Sequence, residues 1–199
     1  MIMSPMDSNT LPIFGILLIA VLLGWVFLSV FLLWTAPAGA PWFPTSRKHV
    51  RRMLTLADVQ PGEVVYDLGS GDGRVLFIAA REFGARAVGI ELDPLRCAWT
   101  RMRIALLGLQ GQVRVIRGNF FTQDISEADV VTLYLLQKTN NRLRRKLWQE
   151  LHPGARIISS VFLFPGIAPT HIDKKAHLFL YEVKMPCQNQ EGSPSGSPG

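Results

Sequence analysis

Val64-Val65-Tyr66-Asp67-Leu68-Gly69-Ser70-Gly71-Asp72-Gly73 is a short apolar run, rich in β-branched residues, that breaks into three glycines spaced two apart. The run has the length and composition of a parallel strand buried on both faces. The glycines let the backbone turn sharply and approach a ligand closely. A helix should follow to Phe83, where Gly84 ends it. Strand, glycine loop and helix in that order put the loop at the carboxyl end of a strand, where open α/β sheets bind their ligands.

The same alternation continues outward. Residues 87–92 read as a second strand, and Asp93-Pro94 supplies a cap residue and a proline for the helix after it. In that helix Leu95, Ala98, Trp99, Met102, Ala105, Leu106 and Leu109 recur at helical spacing and predict one apolar, inward face, with Arg96, Arg101 and Arg103 off it. Further strands are predicted at 113–116, 129–136, 156–164 and 177–183, and a helix at 141–151. Upstream, Ser46 can cap a helix over 47–56. Alternating strands and helices imply an α/β fold with a mostly parallel sheet covered on both faces. The last strand follows no clear helix, which makes it the candidate antiparallel strand.

Residues 13–34 are of another kind. Sixteen of these 22 residues are Leu, Ile, Val or Phe, and no charge occurs between Asp7 and Arg47. As a helix the stretch would be about 33 Å long, enough to cross a bilayer. A cleaved signal peptide fits less well, because its apolar core is shorter and follows a positive segment. Trp34 and Trp42 stand near one end, as interfacial aromatics do. Arg47, Lys48, Arg51 and Arg52 follow the segment, and no Lys or Arg precedes it. The positive-inside rule then places the C-terminal part in the cytoplasm. The formal net charge of +6 has the same origin on this reading. The expected organisation is an anchor over 1–35, a linker or lid over 36–46, an α/β domain over 47–186 and a Gly/Ser/Pro-rich tail over 187–199. Cys97 and Cys187 form no CxxC pair and no His cluster accompanies them, so neither a disulfide framework nor a metal site is expected.

The loop chemistry separates two nucleotide ligands. A dinucleotide fingerprint is G-x-G-x-x-G, and a pyrophosphate disfavours nearby acids. Here the glycines are Gly69, Gly71 and Gly73, with Asp67 before them and Asp72 among them. Acids suit S-adenosylmethionine, which carries a sulfonium and an ammonium. Glu91 ends the second strand about twenty residues on, where an acid can accept hydrogen bonds from ribose hydroxyls. Asn119-Phe120 follows the third strand, with Phe120 able to pack on adenine and Asn119 able to bond its edge. Asn is also an ordinary turn residue.

These words resemble the class I S-adenosylmethionine-dependent methyltransferases over about residues 41–184. They are most similar to the group of the ATP synthase c-subunit lysine methyltransferases and archaeal protein-lysine methyltransferases. Carrying the resemblance are Pro41-Trp42-Phe43-Pro44-Thr45, Tyr66 to Arg74, Gly89-Ile90-Glu91-Leu92-Asp93-Pro94, Gly118-Asn119-Phe120-Phe121, Val131-Thr132-Leu133-Tyr134-Leu135 and Ile157-Ile158-Ser159-Ser160. It implies a Rossmann-like sheet preceded by one transmembrane helix. It also implies S-adenosylmethionine held by Asp67, Gly69, Ser70, Gly71, Asp72, Glu91, Leu92, Asn119 and Phe120, with Pro44-Thr45 closing over the site. Ser46 stands where relatives often have a second proline.

The expected activity is methylation of protein lysines near the membrane. The alternatives are a lipid or small-molecule methyltransferase and a non-catalytic membrane-anchored scaffold. Tyr134 is the candidate to orient the acceptor amine, with packing at a strand end as its other reading. Nucleic-acid substrates are not expected, because no Asn/Asp-Pro-Pro-aromatic motif and no placed catalytic cysteine is present.

Overall fold

β1 (Val64–Leu68) is the third strand along a seven-stranded sheet of order β3-β2-β1-β4-β5-β7-β6. The computed structural model describes residues 10–35 and 45–184, with side chains within the first stretch described only for 15–27 and 29. In chain order the elements are α1 (Thr10–Thr35), α2 (Arg47–Leu56), β1, α3 (Arg74–Phe83), β2 (Arg86–Glu91), α4 (Pro94–Leu106), β3 (Val113–Arg117), β4 (Val130–Leu133), α5 (Gln137–Glu150), β5 (Arg156–Ser160), β6 (His171–Asp173) and β7 (Leu178–Glu182). Pro44, Trp42, Cys187 and the 187–199 tail lie outside the described residues. The chain divides into two units, 1–44 and 45–199.

In the second unit β1 pairs in parallel with β2 on one side and β4 on the other, Asp67 standing opposite both Gly89 and Thr132. Successive strands thus step away from β1 in opposite directions, which opens a crevice at its carboxyl end. β7 runs antiparallel to β5, as its lack of a preceding helix suggests. β6 was not expected. It is three residues long and pairs only with the edge of β7.

Alternation along the strands builds two apolar layers. Val65, Ala87, Val113 and Val115 face α2, α3 and α4, which contribute Met53, Leu54, Leu76, Cys97 and Ile104. Tyr66, Ile90, Val131 and Ile157 face α5 through Leu143 and Leu147. Each such buried Leu or Ile stabilises the fold by about 1.5–3 kcal/mol. Ser46 caps α2 by accepting the His49 N–H at 3.2 Å, and Asp93 caps α4 through Leu95 and Arg96. Gly84, at φ +68°, ends α3.

Three expectations are corrected. β4 stops at Leu133 rather than at residue 136, because β1 turns away at Gly69 and leaves no ladder partner beyond Leu68. α5 consequently begins at Gln137. β5 stops at Ser160 rather than at 164, where Val161 takes a left-handed φ of +72°. In α4 the buried residues are Cys97, Thr100 and Ile104, whereas Leu95, Trp99, Met102 and Leu106 are exposed. Both sides of this helix are apolar, so periodicity alone could not say which one the sheet takes.

The first unit contributes α1, a 26-residue helix without a charged residue. Among the described residues no helix is long and apolar enough to cross a membrane. Apolar side chains from Ile16 to Phe27 are exposed around the whole circumference of α1.

Candidate active site at the carboxyl ends of β1 and β2

Asp67 is the next-to-last residue of β1 and is almost fully buried. Its Oδ1 accepts the Thr132 hydroxyl at 2.7 Å, across the β1–β4 pair. The chain then turns through Gly69 (φ +86°), Gly71 (φ +55°) and Gly73 (φ +76°), conformations that cost a side-chain-bearing residue dearly. At Gly73 there is also no room, since a Cβ would sit 2.8 Å from Thr100 of α4.

Four of the five loop amides, all but that of Asp72, are bonded within the chain. Those of Gly69 and Ser70 donate to the Ile90 carbonyl, and that of Gly73 donates to Ser70. The Gly71 N–H donates to Glu91 Oε2 at 2.8 Å, and Glu91 Oε1 accepts from the Asp93 N–H at 2.9 Å. The loop therefore does not offer the row of amides that would cradle a phosphate, as its glycines alone would suggest. A carboxylate of the protein already occupies that role.

Burial pushes the Asp67 carboxyl up to about 7; the Thr132 hydrogen bond opposes this, and the charges of Glu91 and Asp72 add to it. Asp72 differs. Burial works against its charge, yet the Arg74 guanidinium, bonded to both carboxylate oxygens, holds it below the usual range. Asp72 is thus paired within the loop, and the acidic groups of the crevice without a cationic partner are Asp67 and Glu91. Ser70 Oγ is buried and has no hydrogen-bond partner among the described residues. Buried acids, an unpartnered hydroxyl and a loop whose amides are mostly taken fit a cationic nucleoside such as S-adenosylmethionine and do not fit a pyrophosphate.

The remaining candidates are placed unevenly. Leu92 is exposed directly after β2, and half-buried Phe120 packs on Phe121 with centroids 4.8 Å apart. Asn119 is exposed and spends its side-chain oxygen on the Phe121 N–H, a turn contact that leaves Nδ2 as the end able to meet a ligand. Tyr134 lies just past the end of β4 and is partly exposed rather than packed away. Pro44 lies outside the described residues. The Thr45 carbonyl accepts a hydrogen bond from Arg74 Nη1, which fastens that segment to the glycine loop.

Several neighbours were not singled out from sequence. Thr132 and Arg74 fall inside the family words, and a Thr in an otherwise apolar strand was the available signal. Thr100 and Arg103 brace the loop from α4, Arg103 through the Asp72 carbonyl at 3.0 Å. His49 of α2 is bonded to Ser160 Oγ at 2.9 Å at the end of β5; burial, and then the Arg52 charge, lower its pKa. No spacing rule links residues 49 and 160. A polar cleft lined by Arg86, Gln112, Arg114 and Glu127 lies at the opposite, amino-terminal ends of β2 and β3. Among the described residues no cluster of three or more His, Cys, Asp or Glu is placed to hold a metal.

Known proteins share this arrangement. The ANTKMT methyltransferase domain matches residues 67–171, from Asp67 to the start of β6. The protein-lysine N-methyltransferase of Saccharolobus islandicus is 44% identical over 135 residues, covering 67% of this chain and 84% of that protein. The ATP synthase c-subunit lysine N-methyltransferase of Xenopus laevis is 33% identical over 132 residues, covering 66% of this chain and 58% of the Xenopus protein. A crystal structure described as an RNA methyltransferase from Salinibacter ruber, in complex with S-adenosyl-L-homocysteine, is similar at a TM-score of 0.69. It is 40% identical, and the match covers 77% of this chain and 98% of that one. The chain belongs to the ANTKMT methyltransferase domain family and is an S-adenosylmethionine-dependent methyltransferase.

Proposed function

We propose that the chain methylates lysine side chains of proteins at a membrane surface, with α1 as a single-pass anchor and the second unit on the cytoplasmic side. The observation that carries the substrate class is the 44% identity over 84% of a protein-lysine N-methyltransferase. The anchor reading is supported by α1, whose 26 residues carry no charge and no polar face. The cytoplasmic side follows from Arg47, Lys48, Arg51 and Arg52 after it.

S-adenosylmethionine supplies an electrophilic methyl group, so the residues of the chain have to bind, orient and keep water out. Glu91, with lone pairs beyond those used by Gly71 and Asp93, is placed to accept ribose hydroxyls. Asp67 offers a carboxylate to positive charge. A lysine acceptor must arrive neutral, which from a pKa near 10.4 costs about 4.6 kcal/mol at pH 7. Docking of the substrate over Tyr134 would exclude water there and lower that cost, and the phenol can orient the amine.

A second reading, an RNA acceptor, is favoured by the description of the Salinibacter ruber structure. Incubating membranes that contain the chain with methyl-labelled donor separates the readings. Label in protein, recovered as methyllysine, supports the proposal. Label in RNA or in the organic extract overturns it, and an absence of donor binding by calorimetry points to a scaffold.

A further inference from the structure

We propose that the outward face of α4 lies in the interfacial layer of an anionic lipid bilayer. Leu95, Trp99, Met102 and Leu106 are 68%, 53%, 44% and 77% exposed. At about 100° per residue these four fall within about 60° of arc. Cys97, Thr100 and Ile104, which pack on the sheet, lie on the opposite side of the helix. The apolar stripe therefore points straight away from the protein. Arg96 and Arg103 fall along one of its margins, whereas Arg101 lies nearer the buried side and bonds the Val115 carbonyl.

An apolar stripe containing a Trp and bordered by Arg on one side is the composition of a helix that lies in the plane of a membrane. The apolar side chains enter the acyl boundary, and the guanidinium groups stay at the level of the headgroups. Arg96 already pairs with Asp93 and Arg103 with the Asp72 carbonyl, so the face offers a partner its summed positive field rather than single free guanidinium groups, and an anionic lipid surface is what such a field attracts. The surroundings agree. The layer of α2, α3 and α4 on this face of the sheet carries nine Arg and Lys and a single acid, Glu82. The chain also enters this layer, at the amino end of α2, only eleven residues after α1 ends. Fully extended, that connection reaches at most about 40 Å. The inference rests on the anchor reading of α1. With α1 in a bilayer, α4 is held at high effective concentration next to the lipid, and a modest interfacial affinity suffices to seat it.

The test uses the full chain, with Cys187→Ser, in vesicles of phosphatidylcholine with or without phosphatidylglycerol. A nitroxide is attached at Met102→Cys or, as a control on the opposite face of the sheet, at exposed Gln149→Cys of α5. An alkaline wash first shows whether the chain is retained. The expected result is that the label at 102 becomes accessible to oxygen and shielded from an aqueous nickel chelate when phosphatidylglycerol is present, while the label at 149 stays aqueous. A retained chain whose label at 102 stays aqueous overturns the inference and leaves the anchor standing. Release in the wash removes the anchor reading and the inference with it. Shielding from both reagents, with spin–spin broadening between labels at 102, assigns the face to a second copy of the chain and overturns the lipid assignment.

Discussion

Glu91 Oε2 accepts the backbone N–H of Gly71 at 2.8 Å, so the last residue of β2 fixes the shape of the loop that leaves β1. One carboxylate thereby holds the loop and faces the crevice. Glu91→Ala should weaken S-adenosylmethionine binding by about 2 kcal/mol or more, roughly thirtyfold in Kd, through lost charge-assisted bonds. Isothermal titration checks it, and an unchanged dissociation constant removes Glu91 from the site. Glu91→Gln, which keeps one oxygen for Gly71 but turns its NH2 toward the Asp93 N–H, should retain only part of the thermal stability that the Ala variant loses.

The pH dependence should follow Asp67. Its carboxyl titrates near 7 in the folded chain against an ordinary value of 3.8. Between those values the folded state holds a proton that the unfolded state has lost. The stability linked to this group is therefore complete below about pH 4, falls as pH rises toward 7, and is constant above, with a span of at most about 4 kcal/mol. Asp67→Asn should flatten that slope in denaturant titrations. A cationic donor favours the carboxylate, so its binding at pH 6 should release a proton. Calorimetry in two buffers of different ionisation heat reads this directly.

Gly89 stands opposite Asp67 in β2, and a Cβ there would lie 2.6 Å from both Ser70 Oγ and Leu76 Cδ1. Gly89→Ala should destabilise the fold by about 1–3 kcal/mol through overpacking. It should weaken donor binding as well, because the displaced residue belongs to the glycine loop. Thermal melts and binding isotherms on the same variant separate the two effects.

Val161 is a β-branched residue at φ +72°, between Ser160, which bonds His49, and Phe162, whose carbonyl accepts the Ser159 hydroxyl at 2.6 Å. Val161→Gly should relieve that strain and stabilise the chain by about 1 kcal/mol in urea unfolding. A fall in turnover alongside the gain would mark the turn as part of the acceptor pocket.

The centre of this fold was readable because its signals are local. Val64–Leu68 reads as a strand from composition, Gly84 and Asp93-Pro94 end and begin helices by backbone chemistry, and Glu91 follows from spacing. What escaped depends on partners distant in sequence. The end of β4 is set by where β1 turns, and the inward side of α4 is set by the sheet beneath it. The internal use of the loop amides requires Glu91 to fold back onto Gly71. Likewise, Asn119 reads equally as ligand-binding or turn-forming until the Phe121 N–H is seen on its side chain.

Arg74 grips Asp72 with one part of its guanidinium and the Thr45 carbonyl with another. Thr45, just ahead of α2, is therefore stitched to the glycine loop. A fragment cut just downstream of this stitch would keep every strand of the sheet and still expose Arg74 to solvent on its unbuttoned side. Where such a fragment begins is thus a choice about the chemistry as well as about folding.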